Sequence, residues 1–254
     1  MAAQWVHLGA GKLLVASDRG AWLQPPVLGL AAIEGPMPQS LGASASETRH
    51  LLDGAIAAAE REVPPVVPPA MTIIRWARSL AGQWYCAHHS IPLLAEVADR
   101  FARSGRATLA EFVARKHAEE GGHDALPLAD LRALGYDAEA FVATAPIPPS
   151  SVAFVEYARS CVRGRDPVEF LGYIYAIERH VVRLRPAWFA ALDAVLPAGV
   201  DAASALRTHA GDLDIEHVAQ ATEFFADLPA ADRSTITLGC YRTTQIRVAT
   251  RKDD

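Results

Sequence analysis

Apolar positions recur at helical spacing along most of this chain. In SASETRHLLDGAIAAAERE, residues 44 to 62, they fall at 51, 52, 55, 56 and 59, behind a serine cap candidate and an acidic residue in the first turn. VPPVVPP at 63 to 69 then breaks the chain. Helical stretches are predicted at about 70 to 86 and about 90 to 103, with Ser90-Ile91-Pro92 starting the second and Gly105 closing it. The next helix begins at Thr108 and carries HAEEGGHD, residues 117 to 124, with Gly121-Gly122 inside it. Each of those glycines costs about 1 kcal/mol relative to alanine, so the pair marks a bend or a close backbone approach. DLRALGYD at 130 to 137 ends on a glycine stop, and APIPPSS at 145 to 151 is a short connection. Helices are predicted at about 151 to 163, from Pro167 through Glu178 to Arg185 where Pro186 ends it, and at about 187 to 195, 201 to 226 and 231 to 250. Residues 1 to 42 mix Gly, Pro and apolar residues without a sustained period and read as an extended N-terminal arm. With no alternating strand signal of convincing length, the expected fold is all-α: one helical-bundle domain over residues 43 to 254 behind that arm.

Composition narrows the function classes. A chain of 254 residues with 51% hydrophobic content can bury a full core. A net charge of −5 with no Lys/Arg run longer than two residues argues against a nucleic-acid partner. Cys86, Cys161 and Cys240 are scattered without C-x-x-C spacing, which argues against a disulfide framework or a thiolate zinc site and fits a reducing cytoplasm. No Lys or Arg precedes Lys12 and no apolar run reaches 18 residues, so a soluble chain with neither secretory signal nor membrane span is expected. Trp5 and Trp22 in the arm would expose a large apolar patch unless wrapped on the domain or on a second subunit, which makes a homodimer one expected state.

The candidate chemistry lies in three segments. In HAEEGGHD, Glu120 and His123 are three apart, and on one helix their side chains leave about 60° apart, a chelating geometry. Glu178 interrupts the apolar, aromatic run GYIYAIERH, where an unpaired buried charge would be expensive. THAGDLDIEHV supplies His209, Asp212, Asp214, Glu216 and His217. One carboxylate and one imidazole do not hold a metal alone, so the reading requires these segments to supply ligands together. A dinuclear carboxylate/histidine centre in a helical bundle draws its ligands this way, and iron suits mixed imidazole and carboxylate donors. Of the rest, Glu119 is expected to face solvent, Tyr173 and Tyr175 to be core aromatics, and His88-His89 to lie off the ligand pattern.

These residues resemble the heme-oxygenase-like diiron oxidases and oxygenases, over roughly residues 70 to 250. EEGGHD at 119 to 124 looks like that family's Glu-x-x-His element, and Glu178 after GYIYAI is similar to the glutamate of its next core helix. The third helix of the family carries His-x3-Asp-x2-His. Asp214 and His217 keep their part of it, but His209 lies five residues before Asp214 instead of four. On an ideal helix His209 and Asp214 would be about 140° apart and His209 and His217 about 80° apart. A π-bulge would restore the face; otherwise Asp212 or Glu216 replaces Asp214, or this helix is partly unwound without metal. The resemblance implies two Fe(II) ions held by Glu120, His123, Glu178, His209, Asp214 and His217, with O2 as co-substrate. It implies desaturation, N-oxygenation or oxidative C–C cleavage of a small amino acid, amine or carboxylate, in secondary metabolism. A carboxylate would need a cationic anchor, for which Arg185 and Arg183 are the expected residues. The rival readings are a cofactor-free or thiaminase-II-like enzyme on the same fold, and a non-enzymatic helical protein binding heme or another small molecule.

Overall fold

The computed structural model describes residues 3–24, 43–64, 69–184 and 186–250. The chain opens with three strands, β1 (Gln4–Gly9), β2 (Lys12–Ser17) and β3 (Gly20–Gln24), in an antiparallel sheet of order β1-β2-β3. Helices follow: α1 (Ala45–Glu60), α2 (Ile73–Arg103), α3 (Ala107–Glu120), α4 (Ala125–Ala133), α5 (Ala138–Thr144), α6 (Pro149–Arg163), α7 (Glu169–Val182), α8 (Pro186–Asp193), α9 (Ser204–Ala210), α10 (Asp212–Ala226) and α11 (Ala230–Thr250). The helical architecture is the one predicted. The front of the arm is the sheet, and its remainder, 25 to 42, lies outside the described residues. Two-residue alternation is present in the arm: Val6, Leu8, Leu14 and Ala16 are buried, while His7 between Val6 and Leu8 is exposed. The strands are only five or six residues long.

The described residues fall into two compact units. The first draws on Met1–Pro64, Val168–His180 and Asp214–Val248. Here α1 packs on the sheet, started by a reciprocal capping box in which Glu47 N–H donates to Ser44 Oγ (3.1 Å) and Ser44 N–H donates to Glu47 Oε2 (3.0 Å). Its buried face is Leu51, Leu52, Ala55, Ile56, Ala58 and Ala59, which contains every predicted apolar position. Arg179 on α7 donates a fork to Asp53 on α1, Nε to Oδ1 at 2.9 Å and Nη2 to Oδ2 at 2.7 Å, and this bidentate pair sets the rotation of α7 about its axis. Hydrogen bonding to Asp53 raises the Arg179 pKa, and burial together with the Asp53 charge pushes the Tyr175 phenol up.

The second unit draws on Pro65–Pro167, Val181–Leu213 and Ala249–Asp254. Its core gathers Trp76, Ala77, Leu80, Leu131, Leu192 and Leu206. Trp76 donates its indole N–H to Ala202 O at 2.6 Å and meets Trp188 edge-on at 5.7 Å. The long helix α2 replaces the two predicted stretches. Pro92 lies inside it without ending it, because the buried face continues from Trp76 and Leu80 to Leu94, Val97 and Phe101. Pro186 begins α8 rather than only ending α7, in keeping with proline's preference for the first helical turn.

Candidate metal centre

The Glu120/His123 pair is made by a turn, not by a helix face. Helix α3 stops at Glu120; Gly121 (φ −55, ψ 120) and Gly122 (φ +82) are the central residues of a type II turn closed by His123 N–H donating to Glu120 O at 3.1 Å. The turn returns the His123 ring to its own anchor, with Nδ1 at 3.1 Å from Glu120 Oε2. The glycines predicted inside a helix are thus what ends it, since a type II turn needs positive φ at its third residue. Replacing Gly122 with alanine is expected to cost about 1 kcal/mol, read as a melting temperature about 2–4 °C lower in a thermal scan.

His209 completes this group. Helix α9, which carries it, has no side-chain cap of its own; Asp130 on α4, 1% exposed, supplies one. That carboxylate accepts from Ser204 N–H (3.1 Å), Ser204 Oγ–H (2.5 Å) and Ala205 N–H (3.0 Å). Asp130 therefore ties the start of α9 to the helix that follows the His123 turn. The His123 and His209 rings meet edge to face at 4.9 Å, and one ligand atom from each of Glu120, His123 and His209 lies within 4.8 Å of the other two. Two imidazoles and one carboxylate are the donor set of non-heme Fe(II) oxygenase sites.

Glu178, Asp214 and His217 meet in the other unit. All three are buried, at 7%, 1% and 4% exposure. His217 Nδ1 stands 3.8 Å from Glu178 Oε1 and 3.7 Å from Asp214 Oδ1. Those separations exceed a hydrogen bond but are close to the spacing of two donors on one ion, which bonds of about 2.1 Å put at about 3.0–3.6 Å. Imidazole and carboxylate are transition-metal donors, and burial sets these three apart from solvated helix-face charges.

The third segment is resolved by a break instead of a π-bulge. Gly211 takes an extended conformation (φ −84, ψ −160) between α9 and α10. The backbone leaves the helix there and changes phase, so His209 groups with Glu120 and His123 while Asp214 and His217 group with Glu178. Between the alternatives, Glu216 is exposed and accepts from Gln220 Nε2 at 3.0 Å, and Asp214 is the carboxylate beside His217. The Asp212 side chain lies outside the described residues.

Of the expected anchors, Arg183 is exposed just past α7 and Arg185 lies outside the described residues. One cation escaped notice in the sequence. Lys116, only 2% exposed, sits on α3 one turn before Glu120 on the same face, and its Nζ lies 3.2 Å from Glu119 Oε2. Glu119 is accordingly half-buried rather than turned to solvent. Nothing in a helix-period reading separates Lys116 from a surface lysine except its i, i+4 spacing to Glu120.

No protein-family model matches the chain, and no curated protein matches its sequence. Among solved structures it is similar to a domain of unknown function with a heme oxygenase-like fold from Shewanella denitrificans OS217, at 17% identity and a TM-score of 0.60, over 82% of this chain and 87% of that one. The fold is therefore heme-oxygenase-like, as the resemblance in sequence implied. Among the described residues no helix is long and apolar enough to cross a membrane.

Proposed function

We propose that this heme-oxygenase-like chain is a non-heme diiron oxidase or oxygenase that uses O2 on a small carboxylate-bearing substrate. In this reading Glu120, His123 and His209 hold one iron, and Glu178, Asp214 and His217 hold the other. The burial of Glu178, Asp214 and His217 around one another carries the proposal. Two carboxylates and an imidazole taken out of water are retained where they have a cation to bind. Ferrous iron bound by such donors supplies O2 activation toward C–H or N–H bonds. The protein contributes orientation of the substrate and exclusion of water.

The carboxylate preference rests on Lys116. A buried ammonium on the ligand-bearing face of α3 is less screened than the exposed Arg183, and a substrate carboxylate reaching it would share it with Glu119, whose Oε2 lies 3.2 Å away. Of the three cysteines that a nucleophile reading could use, two fit it poorly. Cys161 and Cys240 are buried, and burial pushes the Cys240 thiol well above its usual range, opposite to an activated thiolate.

The test is anaerobic loading with Fe(II), metal analysis, then oxygen consumption across a panel of amino acids and fatty acids with their methyl esters. Two irons per chain, and consumption with acids that the esters do not support, are expected. A chain that takes up no iron sinks the reading. Equal rates with acids and esters would remove the Lys116 role alone.

A further inference from the structure

The unabsorbed histidine pair of α2 lies against the exit of the metal-ligand turn. His88 Nδ1 is 3.0 Å from Asp124 Oδ2, and Asp124 directly follows His123. The carboxylate can only accept, so Nδ1 carries the proton. Two features indicate that this contact is built. First, Asp124 occupies the N-cap of α4, where aspartate ordinarily takes a backbone N–H of the first turn; its backbone is instead αR (φ −66, ψ −20) and its side chain makes no capping bond. The capping stabilisation of about 1 kcal/mol is absent, and the carboxylate is turned to His88. Second, the His88 ring is itself held. It stacks on Trp84, one turn earlier, at 5.0 Å and 18°. His89 meets it edge to face at 5.4 Å, and the His88 side chain keeps about half its surface exposed. His89 has a separate engagement: Arg159 Nη2 lies 3.3 Å from its Nδ1, and burial together with the Arg159 charge lowers its pKa. Pro92 adds to the local setting, since it has no N–H to give the carbonyl of His88 four residues before.

We infer that His88 and Asp124 are positioning residues for the Glu120/His123/His209 metal site, a latch that fixes the exit of the ligand turn against α2. The turn is held at its entry by α3 and across its middle by the His123 N–H to Glu120 O bond. Without the latch, the far end of the glycine-rich turn that carries His123 is held only by its backbone bonds, Ala125 N–H to Gly122 O at 3.0 Å and Leu126 N–H to His123 O at 3.2 Å, and by the packing of α4 on α2, with no side-chain tie beside the ligand itself. Polar partners that orient a metal ligand, when removed, typically weaken metal binding about 10- to 100-fold. A contact one residue removed from the ligand is expected at the lower end of that range.

This inference rests on the iron reading above, and the experiment separates the two. Co(II) is titrated into the metal-free full-length chain anaerobically, and its visible absorption is followed in wild type, His88→Ala, Asp124→Ser and His88→Gln. The αR backbone at residue 124 leaves aspartate and serine alike without a capping bond to α4, and serine is too short to reach His88, so Asp124→Ser is expected to melt close to wild type. In His88→Ala and Asp124→Ser, one of the two Co(II) binding events is expected to weaken about tenfold while the other is unchanged. His88→Gln, which can still donate to Asp124, is expected to recover most of the loss. Wild-type Co(II) uptake with undiminished affinity in both latch variants overturns the inference alone. A wild-type chain that binds no Co(II) overturns the inference and the iron reading together.

Discussion

A Glu178→Gln chain is expected to fold, to keep at most one iron of two, and to gain little thermal stability from Fe(II). The sign of each effect follows from burial. Glu178 and Asp214 are both carboxylates with little solvent access, facing one imidazole from 3.8 and 3.7 Å. Burying a carboxylate costs solvation in the metal-free protein, so replacing Glu178 by a neutral amide of the same shape removes that cost. The metal-free variant should therefore melt at or above metal-free wild type. Iron reverses the order. An ion bound only by the folded state at 100 times its dissociation constant adds about 2.7 kcal/mol, which corresponds to about 5–10 °C in a chain of this size. The amide introduced by Glu178→Gln keeps one acceptor but not the charge that holds the cation, so the variant's rise should be a fraction of that. Anaerobic thermal scans with and without Fe(II), together with iron analysis, measure both quantities. An equal Fe(II)-dependent rise in the two chains would remove Glu178 from the ligand set.

The parts of this molecule that were legible in sequence are those with one strong local period or one strong local exception. Helix α1 was readable because its cap, first-turn acid and apolar face coincide within a few turns, and α11 because its pattern is long. Glu178 stood out as a single charge in an apolar run, a conflict that a sequence keeps only where the fold gives the charge something to do. The strands were hidden because five or six residues of alternation sit in a Gly- and Pro-rich background. Pro92 was misread as a boundary because a proline's local effect is to remove one hydrogen bond, whereas the fate of α2 is decided by its buried face over 31 residues.

The candidate site shows the same division between composition and backbone. All six residues proposed as ligands were identified by type and spacing, yet the backbone that presents them differs at two glycines. Gly122 was expected inside a helix as a bend or close approach, and Gly211 fell within the helix predicted at about 201 to 226; both interrupt one. Gly122 turns the Glu120/His123 pair back on itself, and Gly211 frees His209 from the phase of α10. Ideal helical angles across such positions, about 140° between His209 and Asp214, do not describe the molecule, because the chain leaves the helix there. Lys116 and the His88–Asp124 latch were invisible for a different reason. Burial of a lysine and contact between residues 36 apart are set by packing, not by period.

Gly172→Ala is expected to destabilise the chain by about 4 kcal/mol or more, and the sign of the result is diagnostic. Alanine is the better helix former, favoured over glycine by about 1 kcal/mol at an exposed helical site, so helix propensity alone predicts a gain. Packing predicts the opposite. Helices α7 and α11 cross backbone to backbone at Gly172 and Gly239. A Cβ on Gly172 would lie 2.0 Å from Ile236 O and 2.8 Å from Cys240 N, and one on Gly239 would lie 2.3 Å from Glu169 O. Those atoms are backbone and have no rotamer by which to move aside, so the helices must separate. Separation is opposed on the other flank of α7, where Arg179 is forked onto Asp53 and Phe170 and Tyr175 are fully buried. A loss of this size corresponds to a melting temperature lower by at least about 10 °C. Because Glu178 rides on the same helix six residues further on, the shift also displaces a proposed ligand, and iron binding at that group should weaken even in protein that remains folded at low temperature. Gly239→Ala, which offends the crossing from the other side, should reproduce both effects. A Gly172→Ala chain that melts at or above wild type would mean that α7 and α11 do not cross at this distance, and the placement of Glu178 beside His217 would fall with it.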